Sequence, residues 1–163
     1  MIKIVVLDLD GTVWDHLDAS SLVEPLKLID YNIVVDSKGE RLSLHPHVRW
    51  FLENVSKLDI PLAIASWNNP TITIKVLELL GAKNYFQYLG IEPHPHKYKI
   101  LLKIMGWYKR SHGSIHSREI LYVDDRRIHI DEIRRYVGDV SFLQMWKDIT
   151  GFRELYEYIL LNI

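Results

Sequence analysis

Two apolar runs in this chain each end on a pair of acids. "IVVLDLDGT" spans residues 4–12 and "ILYVDD" spans 120–125. Continuous β-branched and aliphatic residues of this length read as strands buried on both faces, the kind found in parallel sheets. A carboxylate at the end of such a strand is costly to bury without a partner. A fold that carries both runs must therefore gather Asp8, Asp10, Asp124 and Asp125 where something compensates them.

The rest of the chain alternates between strand and helix patterns. Residues 2–8 form the first strand, and residues 15–31 have no clean period. Residues 32–44 read as a hairpin, "NIVV" and "RLSL" around a "DSKG" turn. From about residue 47 the period is helical, with Val48, Phe51, Leu52 and Val55 on one face. "PLAIAS" at 61–66 is a second buried strand. A helix follows Pro70, with Ile72, Val76 and Leu80 inward and Gly81 as its stop. "YFQYLGI" holds a short third strand, and a helix opens near Lys97 with Ile100, Leu101 and Ile104 inward. After "ILYVDD" come a helix marked by Ile130, Ile133 and Val137, a last strand in "DVSFLQM", and a final helix lined by Ile149, Phe152, Tyr156 and Ile159. Such alternation predicts βαβ units: an α/β, three-layer, Rossmann-like parallel sheet in one domain over 1–163, with a small hairpin and loop insert at about 15–45 after the first strand.

Composition removes several classes of function. At 163 residues and 48% apolar, the chain can bury a sizeable core and is not expected to be disordered. A net charge of −1 with 25% charged residues argues against nucleic acid as a partner. Without cysteine there is no disulfide, thiolate nucleophile or cysteine zinc site. No leader pattern opens the chain, and no apolar run nears the ~18 residues of a membrane helix. The expectation is a cytoplasmic protein away from membranes.

Parallel sheets bind ligands at the carboxyl ends of their strands. That edge would collect Asp8, Asp10, Ser66, Asp124 and Asp125, with Lys97 opening a helix beside them. Converging carboxylates repel each other, and an all-oxygen set favours Mg2+. Lysine and serine in the same ring would hold phosphate oxygens. One acid could attack phosphorus to give an aspartyl phosphate, and an acid two residues on could protonate the leaving group and later activate water. Taken singly these residues say less: Ser66 is an ordinary helix cap, Lys97 a solvated lysine, and the acids turn formers.

The set resembles the haloacid dehalogenase superfamily. "DLDGT" is similar to its motif I, "IAS" at 64–66 to motif II, Lys97 to motif III and "YVDD" to motif IV, all in order over residues 4–125. With "DLDGTVW", "LHPHV" and "AIAS", and an insert too short for a large cap, the chain resembles most the magnesium-dependent phosphatase branch. The resemblance implies Asp8 as nucleophile and Mg2+ ligand, and Asp10 as general acid/base with its backbone carbonyl on the metal. It also implies Ser66 and Lys97 on the phosphoryl group, Asp125 as direct metal ligand, and Asp124 behind it or orienting Lys97. The N–H groups of Leu9 and Gly11 would line a phosphate cradle. After motif II the chain has "WNNP", where that branch carries a basic or small polar residue, and contacts to substrate fall on Trp67 and Asn68. Lys99 competes with Lys97 for motif III; Lys97 is preferred because it directly follows "EPHPH" at the helix start. His94, His96, His45 and His47 read as loop histidines. Trp14 and Trp67 are either core aromatics or stacking walls.

The implied activity is Mg2+-dependent hydrolysis of a phosphomonoester, of phosphotyrosine or sugar-phosphate type, on a small molecule or a phosphoprotein. The alternatives are a phosphatase of nucleic-acid ends or phosphoproteins, and a non-catalytic phospho-ligand module on the same fold.

Overall fold

A computed structural model describes all 163 residues. In chain order the strands are β1 (Ile4–Leu7), β2 (Trp14–Asp15), β3 (Lys27–Asp30), β4 (Ile33–Val35), β5 (Arg41–Leu44), β6 (Leu62–Trp67), β7 (Tyr88–Glu92), β8 (Ile120–Asp124) and β9 (Ser141–Gln144). The helices are α1 (Val48–Val55), α2 (Pro70–Leu79), α3 (Lys97–Ser111), α4 (Ile130–Tyr136) and α5 (Phe152–Asn162).

Five strands form a parallel sheet in the order β7-β6-β1-β8-β9. Side chains alternate across it, as strand geometry requires. Val5, Leu7, Leu62, Ile64, Leu121 and Val123 enter one core cluster, with α1, α2 and α5. Ile4, Val6, Ala63, Ala65, Ile120 and Tyr122 enter the other, with α3 and α4. Three α/β/α layers result, as the pattern of buried runs implies. The chain builds outward from β1 through β6 to β7, then crosses by α3 to β8 on the other side of β1. The carboxyl ends of β1 and β8 thus flank the point where strand order reverses, the usual position of a ligand crevice.

The insert is larger in structure than its sequence pattern suggested. The hairpin of β4 and β5 is extended on both sides into a four-stranded antiparallel sheet, β2-β5-β4-β3. Trp14, Val34, Leu42 and Leu44 are buried in the same cluster as α1, α2 and α5, so the insert shares that core. β3 is exposed at all four positions and bulged against β4. The final helix starts at Phe152, not at Ile149. Ile149 is buried in the turn before it, bridged to Met145.

Candidate active site

β1 delivers Asp8 and then turns. The Leu9 carbonyl accepts from the N–H groups of Thr12 and Val13, which makes a tight loop, and Gly11 sits in it at φ +71°. A Cβ on Gly11 would come 2.5 Å from Asp125 Oδ2, so the glycine serves both the left-handed turn and the close approach of the β8 end. Trp146 Nε1 donates to the Gly11 carbonyl, and Gln144 Nε2 donates to that of Asp125.

At the centre lies Lys97, the first residue of α3 and 1% exposed. Its Nζ is 2.5 Å from Asp8 Oδ1 and 3.0 Å from Asp124 Oδ2. Lys99, two residues on, is exposed, whereas Lys97 is the lysine that touches Asp8 and Asp124. The Thr12 hydroxyl lies 3.1 Å from Asp8 Oδ2 and 3.2 Å from Asp125 Oδ1, and it accepts the Asp125 N–H. The Tyr122 hydroxyl and the Arg126 N–H donate to Asp124.

Burial pushes the Asp8 carboxyl well up from its ordinary range; the Lys97 ammonium opposes this, and Asp124 and Asp125 add to it. Burial also raises Asp125, reinforced by Asp124. For Asp124 the cost of burial is outweighed by Lys97, Tyr122 and the Arg126 N–H, and its carboxyl lies low. Burial works against the Lys97 ammonium, but its two carboxylates hold its pKa above the usual lysine value. Oxygens of Asp8, Asp124 and Asp125 all lie within 4.8 Å of one another. Three carboxylates against one ammonium leave an excess of negative charge in a buried, all-oxygen donor set. Those residues fit a hard divalent cation.

Asp10 faces elsewhere. Its Oδ1 accepts from Trp14 Nε1 at 2.8 Å and from the Ala19 N–H at 3.1 Å, and its Oδ2 accepts from Asn68 Nδ2 at 2.8 Å. It opens into a cavity of about 420 Å3 shared with Trp67 and Asn68. Trp14 is thus a fully buried core aromatic that also orients an acid, whereas Trp67 is 45% exposed and forms a wall.

Some expected roles shift. The Gly11 N–H donates to the His16 carbonyl and is not free to line a phosphate cradle, whereas the Leu9 and Asp10 N–H groups donate to no group of the chain. Ser66 is the penultimate residue of β6, 1% exposed, and its hydroxyl accepts from Asn68 Nδ2. The Asn68 side chain, assigned to substrate from the sequence, is fully used within the protein. Its amide donates to Asp10 and Ser66, and its carbonyl accepts from the Ser20 hydroxyl at 2.5 Å. His94 and His96 pair with Glu92 and Glu132, and neither joins the acidic cluster. Sequence reading missed the part played by Thr12, although it stands in the motif. It also missed Ser20, Arg126 and the buried His129, which carry no local signal.

What family builds such a site is decided by a sequence model described as acid phosphatase, which matches residues 1–149. The chain belongs to the acid phosphatase family. It is a phosphatase. No curated protein matches the sequence. Among solved structures, a haloacid dehalogenase superfamily hydrolase of subfamily IA from Geobacter sulfurreducens superposes with a TM-score of 0.67 at 17% identity, covering 97% of this chain and 100% of that one. A haloacid dehalogenase-like hydrolase from Streptococcus pneumoniae gives 0.65 at 13%, covering 97% and 98%. The N-terminal part of a Bacteroides fragilis protein, a phosphatase domain complexed with Mg, gives 0.62 at 19%, covering 98% of this chain and 40% of that one. At these identities the likeness speaks for the fold, a haloacid dehalogenase core. No helix of the protein is long and apolar enough to cross a membrane.

Proposed function

We propose that this phosphatase hydrolyses phosphomonoesters of phosphotyrosine or sugar-phosphate type through an aspartyl phosphate on Asp8, with Mg2+ as cofactor. The reading rests above all on the contrast between two acids two residues apart. Asp8 is buried against Lys97, while Asp10 is held by neutral donors at the mouth of a cavity. Pairs of acids in different environments commonly divide nucleophile from acid/base.

In the first step an Asp8 carboxylate oxygen attacks phosphorus, and the bond from phosphorus to the ester oxygen breaks. That oxygen takes the proton of Asp10 and leaves as an alcohol through the cavity. In the second step a water attacks phosphorus, gives its proton to Asp10, and releases phosphate from Asp8. Lys97, hydrogen-bonded to Asp8, opposes the rise that burial gives the Asp8 pKa. Ser66 and the free N–H groups of Leu9 and Asp10 bind phosphoryl oxygens. Asn68 fixes the Asp10 carboxylate toward the leaving oxygen and supports Ser66 behind it. Asp8 and Asp125 would hold Mg2+ with the Asp10 carbonyl, and Asp124 would stand behind them, orienting Lys97. Bound there, the cation would neutralise charge on the transferring phosphoryl group. The magnesium in the Bacteroides phosphatase domain supports this choice of metal. An absence of cysteine suits a reducing cytoplasm.

Asp8→Asn keeps the shape of the nucleophile and removes its charge. Turnover of p-nitrophenyl phosphate with Mg2+ is expected to fall at least about 10^4-fold, with the fold retained by circular dichroism. EDTA is expected to abolish turnover in the unaltered protein. Normal turnover in folded Asp8→Asn, or full activity in EDTA, would remove the mechanism.

A further inference from the structure

The cavity beyond Asp10 is where the leaving alcohol departs, and its walls are of two kinds. One is apolar and bare: the Trp67 indole, 45% exposed, and Leu17, 85% exposed. Trp67 stacks on no other ring and its N–H meets no acceptor of the chain. The other wall carries a single cation, Arg126. Its main chain is pinned by the bond from its N–H to Asp124 Oδ1 at 3.0 Å. Its guanidinium takes part in no ion pair. The two acids of the same cavity do not engage it. Asp10 is bound by Trp14, Ala19 and Asn68, and Asp18 Oδ1 accepts the Ser20 N–H.

A guanidinium offers five donors in a planar fork that matches a carboxylate or a phosphate. Here the fork sits beside two acids and the excess negative charge of the Asp8, Asp124 and Asp125 cluster. A leaving group with its own negative charge would be repelled from such a site unless one cation met it. A flat indole beside the fork suits the face of an aryl or sugar ring. We infer that Arg126 is a specificity-determining residue, and that the preferred substrates are phosphomonoesters whose ring-bearing leaving group carries a second anionic group. The inference rests on the phosphatase reading of the site and adds to it the charge of the leaving group.

The test uses two matched pairs of esters, in which only the additional anion changes. One pair is phenyl phosphate and 4-(carboxymethyl)phenyl phosphate. The other is glucose 1-phosphate and glucuronic acid 1-phosphate. With Mg2+, kcat/KM is expected to favour the carboxylated member of at least one pair by about tenfold, the size of one charge-assisted contact at a half-open site. The pair that shows it separates an aryl from a sugar substrate. In Arg126→Gln the preference is expected to fall to near unity, and Arg126→Lys is expected to keep part of it. Calorimetric titration of the same esters into folded Asp8→Asn reads the preference without turnover. An unaltered protein that shows the binding preference but turns over neither ester would overturn the hydrolytic mechanism but not this inference. No preference in either pair, by kinetics and by binding, overturns it. So does an equal loss on both members in Arg126→Gln, which would place the guanidinium on the transferring phosphoryl group instead.

Discussion

The two ends of the proposed active site are built on opposite terms. At the phosphoryl end, Asp8, Thr12, Ser66, Lys97 and Asp124 are all buried, and each has a partner in the set or in Asn68. They arrive from the ends of β1, β6 and β8 and the start of α3, elements fixed by the two cores. At the leaving-group end, Leu17, Asp18, Trp67 and Arg126 are exposed, and Trp67 and Arg126 have open polar or apolar faces. Changing the first end disturbs folding and chemistry together. On the proposed reading, changing the second alters only what is accepted. Chemistry can thus stay fixed in this fold while selectivity varies over a few surface positions.

The largest effect that this contrast requires is on stability, at Lys97. Lys97→Met fills the same space but leaves Asp8 and Asp124 buried without their cation. Removing one partner of a buried ion pair costs roughly 3–5 kcal/mol. Urea melts in EDTA should show a loss of that order, and added Mg2+ should return part of it by supplying charge to the same carboxylates. Arg126→Gln, by comparison, should melt within about 0.5 kcal/mol of the unaltered protein, as exposed substitutions do. Equal stability of the two variants would erase the contrast.

The next effect is pH-dependent and concerns His129, which stands before α4 and is 4% exposed, with Nε2 unpartnered. Burial, the Lys97 ammonium and Arg126 lower its pKa to about 4, against the pull of Asp124 and Glu132. Its folded-state value is therefore below the ordinary 6.5, and the folded protein keeps the ring neutral where the unfolded chain protonates it. The resulting stability is complete above about pH 6.5 and is lost as pH falls toward 4, by at most about 3 kcal/mol. Asp8 and Asp125, raised by burial, contribute with the opposite sign, so the raw pH profile is a sum. The difference between the unaltered protein and His129→Gln isolates the ring. Parallel stability profiles between pH 7 and 4.5 would show that the imidazole is not held neutral.

The same divide governs what could be read from the sequence. Buried runs such as "IVVL" and "LYVD" announce their strands because burial on both faces leaves no polar residue inside them. Asp8, Asp124 and Lys97 could be placed together because parallel topology brings strand ends to one edge. The choice of Lys97 over Lys99 followed from its place at the helix start. β3 gave no signal because all four of its residues are exposed, and only pairing with β4 makes it a strand. Ile149 fitted a helical period by spacing alone, since apolar spacing does not distinguish a helix from the buried turn before it. Gly11 was read as a phosphate donor, but its N–H partner, His16, is fixed by a loop whose path no local pattern records. Arg126 and His129 stand in "DDRRIH", where the charges suggest only a solvated helix start. One faces a cavity built from four separate segments and the other is buried, and neither fact is local.

The smallest effect sharpens the contrast from its open side. Trp67 ends β6, paired in register with Glu92, and half of its indole is bare. Trp67→Leu keeps an apolar residue at the strand end and removes the flat face. If that face stacks on the leaving group, its loss is worth about 1 kcal/mol, the scale of an aromatic contact at a partly exposed site. kcat/KM for phenyl phosphate should then fall roughly fivefold, mostly through KM, because the contact is made equally in the ground state and the transition state. Methyl phosphate has no ring to stack and should lose distinctly less. A fall in kcat of the same size for both esters would mean that the indole acts on the phosphoryl end, through its neighbours Ser66 and Asn68. The division between a fixed chemical end and a variable leaving-group end would then fail at the residue where the two meet.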